Sequence, residues 1–383
     1  MKIRLFLIVC IIIASTMHLF SCNDGNICPD ESTENKNQDY TQNENNNKKT
    51  FSEGLDFVSF GDGTCGVNGI GTCMDIDIII PSVSPEGDVV TSINNGAFLG
   101  CSNIKSIRLP DKLHKLGFGS FKHCTSLTSI TVDENNNWLK SIDGNLYNIH
   151  GTDLILYATG KKDTSFVIPD SVIGIVPFAF DSCYNLTYVE IPDSVIYVDM
   201  YAFAECKNLS TVKMGSNVSI IGEGAFLGCK SLKNITIPDS VTDIGNGAFE
   251  SCQNLTNINI PNKVSSIGGN VFRNCISLMS ISMPNSIKTI GDYAFYGCNS
   301  LKSIIIPDGV TSIGIYAFYN CKNLESIIIP DSVMSIGSYA FYYCSSLSNV
   351  YYTGTEEKWK EITIVANNHK LKEANIHYNY ASQ

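Results

Sequence analysis

Charge is scarce in this chain, and clustered positive charge is missing altogether. Charged residues are 16% of the 383, with 37 acidic against 26 basic side chains and a formal net charge of −11. No basic stripe occurs anywhere, which excludes nucleic acid or anionic lipid as an electrostatic partner, because phosphate binding needs grouped Lys and Arg. Catalytic vocabulary is missing too. The six histidines scatter as His18, His114, His123, His150, His369 and His377. Gly-x-Ser-x-Gly, His-Glu-x-x-His and phosphate-loop patterns are absent. The 15 cysteines include no Cys-x-x-Cys pair. These absences point away from an enzyme and imply neither cofactor nor metal. No apolar run approaches the roughly 20 residues a membrane-spanning helix needs.

What is present begins with a leader-like segment. Lys2 and Arg4 precede an unbroken apolar run over residues 5–14, which suits a secretory signal peptide. Leu19-Phe20-Ser21-Cys22 follows and resembles a bacterial lipobox, which implies lipidation of Cys22. A plain secretory signal with a coincidental cysteine is the other reading, and Phe20 is bulkier than a lipobox expects. Residues 22–50 are rich in Asn, Glu, Gln and Lys and nearly empty of large aliphatics. Such a segment buries too little apolar surface to offset its ordering entropy, so the expectation is a signal peptide over 1–21 and a disordered, lipid-anchored linker over 22–50.

Self-similarity dominates the rest. Cysteines fall at 101, 124, 183, 206, 229, 252, 275, 298, 321 and 344, 23 residues apart except for one interval of 59. A phenylalanine stands three residues before each, and Pro169, Pro192, Pro238, Pro261, Pro284, Pro307 and Pro330 keep the same period, with Gly215 standing in once. Chance does not hold three columns in register for ten cycles. In one cycle, Ile327 and Ile329 alternate as in a strand with one buried face. Pro330 ends that strand because it has no N–H for a ladder, and Asp331-Ser332 suits a turn. One coil cannot bury its own apolar side, so coils must stack. The period lies within the 20–29 residues of leucine-rich repeats. The fold class expected is therefore a leucine-rich repeat solenoid of about eleven coils, with a parallel sheet on its concave face and turns and short helical arms on its convex face.

The motif Ile-Pro-Asp-Ser-Val-x-x-Ile-Gly-x-x-Ala-Phe-x-x-Cys-x-x-Leu-x-x-Ile-x is similar to the BspA-type leucine-rich repeat of bacterial surface antigens and lipoproteins, over about residues 55–380. The resemblance implies adhesion to host matrix proteins, host cells or other microbes. An envelope scaffold that captures a secreted protein or glycan is the alternative, and a protein or glycan ligand is the partner either way. The solenoid is expected over 51–352, with an insertion at about 133–164 and a C-terminal cap over 353–383. Residues 55–81 read as a glycine-rich first coil or hairpin, and Trp359 as a lid on the last Phe layer. Inside the insertion, His150-Gly151 reads as a turn between two short strands, forming either an irregular coil or a protruding loop.

The periodic cysteines read as small buried hydrophobes, leaving Cys65 and Cys73 as the one pair that could be bridged. Asp170, Asp193, Asp239, Asp308 and Asp331 recur after the prolines as turn residues, with a Ca²⁺-binding edge as the sharper reading. Five Asn-x-Ser/Thr sequons at Asn185, Asn208, Asn217, Asn234 and Asn254 are expected by chance in such a composition. Residues flanking the central buried position of each strand should tile the concave sheet. Most are small and polar. The departures are Arg108, the group Tyr188, Glu190 and Lys213, and the run Ile305, Ile328 and Tyr351. These are the candidate ligand-binding residues, the last three being either a contact patch or a surface covered by the cap.

Overall fold

Each 23-residue cycle folds into one rung that carries two strands. A computed structural model describes residues 50–381; the expected leader, Cys22 and the linker through residue 49 lie outside the described residues. The strands that end at the proline column stack in parallel runs of three, six and four, thirteen rungs rather than the eleven expected. Their register advances by 23 residues, as in Val189↔Val212 and Ile327↔Val350. Where a proline ends the strand it also opens a turn: its carbonyl accepts from the N–H three residues on, at 3.1 Å for Pro192 and Val195.

The second strand, only two residues long, occupies what the sequence suggested was a bend. Ser312–Ile313 pairs in parallel with Thr289–Ile290 on one side and Ser335–Ile336 on the other. Two residues are too few to display an alternating pattern, so only stacking reveals them. The helical arms expected beside it are successive tight turns. Among the described residues, helix occurs only in the cap, at Glu356–Glu361 and His369–Glu373. Each arm turns sharply because two of its residues take left-handed backbone, for example Tyr316 (φ 56°) with Asn320 (φ 60°), and Gly224 with Gly228. That conformation costs an L-residue roughly 1–2 kcal/mol and glycine almost nothing.

The interior is a set of ladders. The Phe rings from Phe180 to Phe341 stack face to face with centroids 4.6–5.8 Å apart. Beside them the cysteines are fully buried, and thiols such as Cys252 and Cys321 donate to the carbonyl of the Phe one rung back, at 3.2 Å. Burial pushes these thiols well above their ordinary range, which keeps them protonated and inert. Cys65 and Cys73 are buried and not bridged to each other.

The ends and the insertion break the pattern. Asp56–Ser59 pairs antiparallel with Thr64–Gly69 and covers the first coil as a hairpin. At the other end the ring of Trp359 packs edge-on against Tyr352, 5.1 Å away, not as a lid on Phe341. Buried Asn368 meets Phe341 instead, its Oδ1 accepting the Phe341 N–H at 3.0 Å as a carbonyl of a further rung would. The insertion folds as an antiparallel meander, Leu139–Ile142, Asn145–Asn148 and Asp153–Leu156. Leu146, Tyr147 and Leu154 enter the core, so it is an irregular coil and not a protruding loop. It hides a rung of its own: Tyr157 stands 23 residues before Phe180 and stacks on it at 5.2 Å.

Where that rung is irregular, the neighbouring arms meet directly. Asp181 is 2% exposed and lies 3.8 Å from the Lys122 ammonium, with Ser182 donating to its other oxygen. Burial pushes its carboxyl up to about 7, although Lys122 opposes the shift. The native state therefore keeps a proton between pH 3.8 and about 7, where the unfolded chain has lost it. Stability contributed by this group falls as pH rises through that window. Asp181→Asn is expected to flatten the fall and to raise stability at pH 7.5 by on the order of 2 kcal/mol, read from urea midpoints between pH 4 and 8. Phe249→Ala, which opens a gap in the ring ladder, is expected to cost about 3–5 kcal/mol in the same assay.

Candidate binding face

On the proline-side sheet, the residues on either side of each central buried position point outward, and parallel register sets like positions side by side. Ile305 pairs with Ile328, Ile328 with Tyr351, and Tyr351 with His377. One continuous row results. Ile305 is 61% exposed and Ile328 is half-buried. The cap covers the far end, where the Tyr351 ring stacks on His377 at 4.8 Å and meets Tyr380 at the same distance. His377 is held in turn by a 3.0 Å contact between its Nε2 and Asn349 Oδ1. Within this run Tyr351 is packed by the cap, while Ile305 lies open. His377 and Tyr380 were missed in the sequence, because nothing in the cap keeps the 23-residue period that would place them beside Tyr351.

The other candidates are engaged with one another. Tyr188 donates to Glu190 at 3.0 Å, and Lys213 donates to the second oxygen of the same carboxylate at 2.7 Å. Those hydrogen bonds hold the Glu190 carboxyl below its ordinary range and raise the Lys213 ammonium. Arg108 pairs with Asp133 at 3.2 Å. Exposed pairs of this kind contribute little to stability, and a group already satisfied gives up a partner to meet a ligand. The three groups are separate in the sheet: Arg108 lies in the three-stranded run, Tyr188, Glu190 and Lys213 in the six-stranded run, and the Ile305 row in the four-stranded run.

The remaining motifs serve the stack. Asp193 accepts from the Ser216 N–H and hydroxyl one rung on, at 2.7 and 3.0 Å. The side-chain amides of Asn185, Asn208 and Asn217 donate to backbone carbonyls one rung back, at 2.7–2.8 Å. Among the described residues no group of three or more His, Cys, Asp or Glu could hold a metal ion. A second aromatic surface escaped the sequence reading. Tyr293, Tyr316 and Tyr339 stack at 5.0 and 4.9 Å, Tyr296, Tyr319 and Tyr342 at 4.9 and 5.7 Å, and the Arg273 guanidinium lies over the first ring of each column. The 23-residue recurrence of Tyr was the available signal.

Comparison with known proteins agrees with this architecture. The profile of the BspA type leucine rich repeat region matches in six copies, over residues 79–150, 157–279 and 266–382. Among solved structures, a leucine rich cell surface protein from Faecalibacterium prausnitzii is 27% identical, over 86% of this chain and 98% of that chain, with a TM-score of 0.45. A leucine-rich repeat protein from Bacteroides ovatus is 27% identical, over 85% and 77%, with a TM-score of 0.49. One from Eubacterium ventriosum is 27% identical over 63% of each chain, with a TM-score of 0.45. No curated protein matches. With the repeat profile covering most of the chain and the rungs stacked as that repeat requires, this protein belongs to the BspA-type leucine-rich repeat family.

Proposed function

We propose that the chain is a non-catalytic binding protein displayed at the cell surface, and that it adheres to a protein or glycan ligand through the proline-side sheet, taken as the concave face. The observation that supports this best is the row Ile305, Ile328, Tyr351 and His377, a run of apolar and aromatic side chains on a sheet whose outward residues are mostly polar. An exposed aliphatic at the open end of a row that continues into aromatics gives the ligand a dry anchor, which is where binding energy concentrates in interfaces. The polar residues around it supply a rim rather than energy. The cell-surface protein of Faecalibacterium prausnitzii supports the location, and lipidation of Cys22 would supply the anchor.

Purified full-length protein, immobilised and probed with matrix proteins, glycans and fractions of the producing organism's own envelope, should show one saturable ligand. The pair Ile305→Ala and Ile328→Ala is expected to weaken that binding at least tenfold, about 1.4 kcal/mol. Asn257→Ala with Asn259→Ala, on the same sheet, should leave it unchanged. Unaltered affinity in the isoleucine variant would remove the row as the anchor. Ligands found only in the organism's own envelope would favour a capture module over adhesion.

A further inference from the structure

The arms of this solenoid are joined by their own hydrogen-bond ladder, and that ladder is interrupted at one place. In a regular arm three alternate N–H groups donate to the next rung: Tyr316 to the Ser338 carbonyl, Phe318 to Ala340 and Asn320 to Tyr342, at 2.8–3.0 Å. The same trio appears near the start, where Gly96, Phe98 and Gly100 donate to Phe118, Ser120 and Lys122 at 2.8–3.1 Å. In the last arm the first two donors, Tyr339 and Phe341, are still met, by the Ala366 carbonyl and the Asn368 side chain. The next trio after Gly100 is Gly119, Phe121 and His123. Among the described residues none of these three N–H groups has an acceptor. Backbone donors are rarely left so.

The cause is a shortened neighbour. Regular rungs step by 23 residues, as in Ile175↔Val198, whereas the rung after this arm steps by 21, Leu154↔Ile175. Tyr157 nevertheless reaches its place against Phe180 and donates to the Ala179 carbonyl at 2.8 Å. The two missing residues are therefore taken from the outward part of the arm. A cleft of about 110 Å³ lies there, walled by Phe118, Phe121, Leu156, Val176 and Phe178, with Asp181 at its edge. The Phe118 and Phe178 rings touch along one side of it, tilted, with centroids 6.1 Å apart. On the far wall the carbonyls of Pro177 and Asp181 take no backbone donor among the described residues, and Asp181 Oδ2 has no hydrogen-bond partner.

We propose that this cleft binds a short peptide segment of a partner protein, seated where the two missing residues would run. Its carbonyls accept from the Gly119 and Phe121 N–H groups, its N–H donates to the Pro177 carbonyl or the Asp181 carboxyl, and one small apolar side chain packs on Leu156 and Val176 beside the touching Phe118 and Phe178 rings. The logic is that of strand addition at an open edge, confined to one rung. Donors on one wall and acceptors on the other are the complement of an amide. A simple anion would satisfy the donors and Lys122 but would leave the Pro177 carbonyl with no donor to meet. The site lies on the arm side, several rungs from the Ile305 row, and does not depend on that row.

Hydrogen exchange on the full chain, followed by mass spectrometry, tests this with acetyl-Ala-Leu-amide as the probe. In the free protein, segment 117–124 should exchange at least about tenfold faster than segment 94–101, as expected when hydrogen bonds of about 1 kcal/mol each are unmade. Millimolar dipeptide should slow 117–124 by about the same factor and leave 94–101 unchanged. Equal protection of the two segments before ligand, or no response to the dipeptide, would overturn the proposal. Equal slowing by sodium acetate would also overturn it, by marking an anion site. Inserting Gly-Asn between Leu156 and Tyr157 restores the 23-residue step and should protect 117–124 without ligand while abolishing the dipeptide response. A folded insertion variant that still responds would likewise refute the site. Should that variant not fold, the native-chain exchange decides alone.

Discussion

A rung of 23 residues cannot enclose its own apolar side chains, and every other feature of the molecule follows from how adjacent rungs solve that for each other. Three ladders share the work: parallel strands on two sides, the Phe stack within, and the N–H to carbonyl bonds between arms. All three demand the same step along the chain, because one residue more or less would turn a Phe ring out of the stack and flip strand side chains to the opposite face. The period is thus a packing constraint, and its strictness reflects three independent registers that must agree.

That constraint explains residues that look like chemistry and are not. The cysteines are placed where a small, weakly donating side chain fits beside the Phe column and bonds its carbonyl, and burial holds thiols such as Cys252 and Cys321 protonated. Asp193 and the sequon asparagines Asn185, Asn208 and Asn217 hold neighbouring turns together. Such groups are satisfied within the stack, which leaves little for a ligand. What the repeat leaves unspent is the Ile305 row, the stacked tyrosines, and the arm the short rung leaves open.

Both ends and the insertion show what closing a ladder requires. The cap uses Asn368 to imitate a carbonyl of the rung that does not follow, with its amide bonding the Gly337 and Val365 carbonyls at 2.9 Å. The N-terminal hairpin supplies strand partners where no rung precedes. The meander over residues 139–156 carries the interior across an irregular stretch, since Tyr147, Leu154 and Tyr157 keep it filled. It does not carry the arm ladder across, and charge becomes buried there as well, at Asp181.

Most of the fold was legible in the chain, because a repeat writes each contact ten times over. The Phe, Cys and Pro columns by themselves determine a stacked solenoid, its buried face and its outward positions. They also determined that Ile305, Ile328 and Tyr351 would be neighbours, since equal places in successive coils must lie side by side. What the sequence could not supply were features with no period. The two-residue second strands exist only through pairing with copies of themselves. His377 and Tyr380 reach Tyr351 through a cap that follows its own geometry. The rung hidden in the 59-residue interval, and the two residues missing from its arm, emerge only when Leu154 is seen opposite Ile175. Local pattern determines what recurs; tertiary packing alone decides what happens where recurrence stops, because there each contact is made once, between residues far apart in the chain.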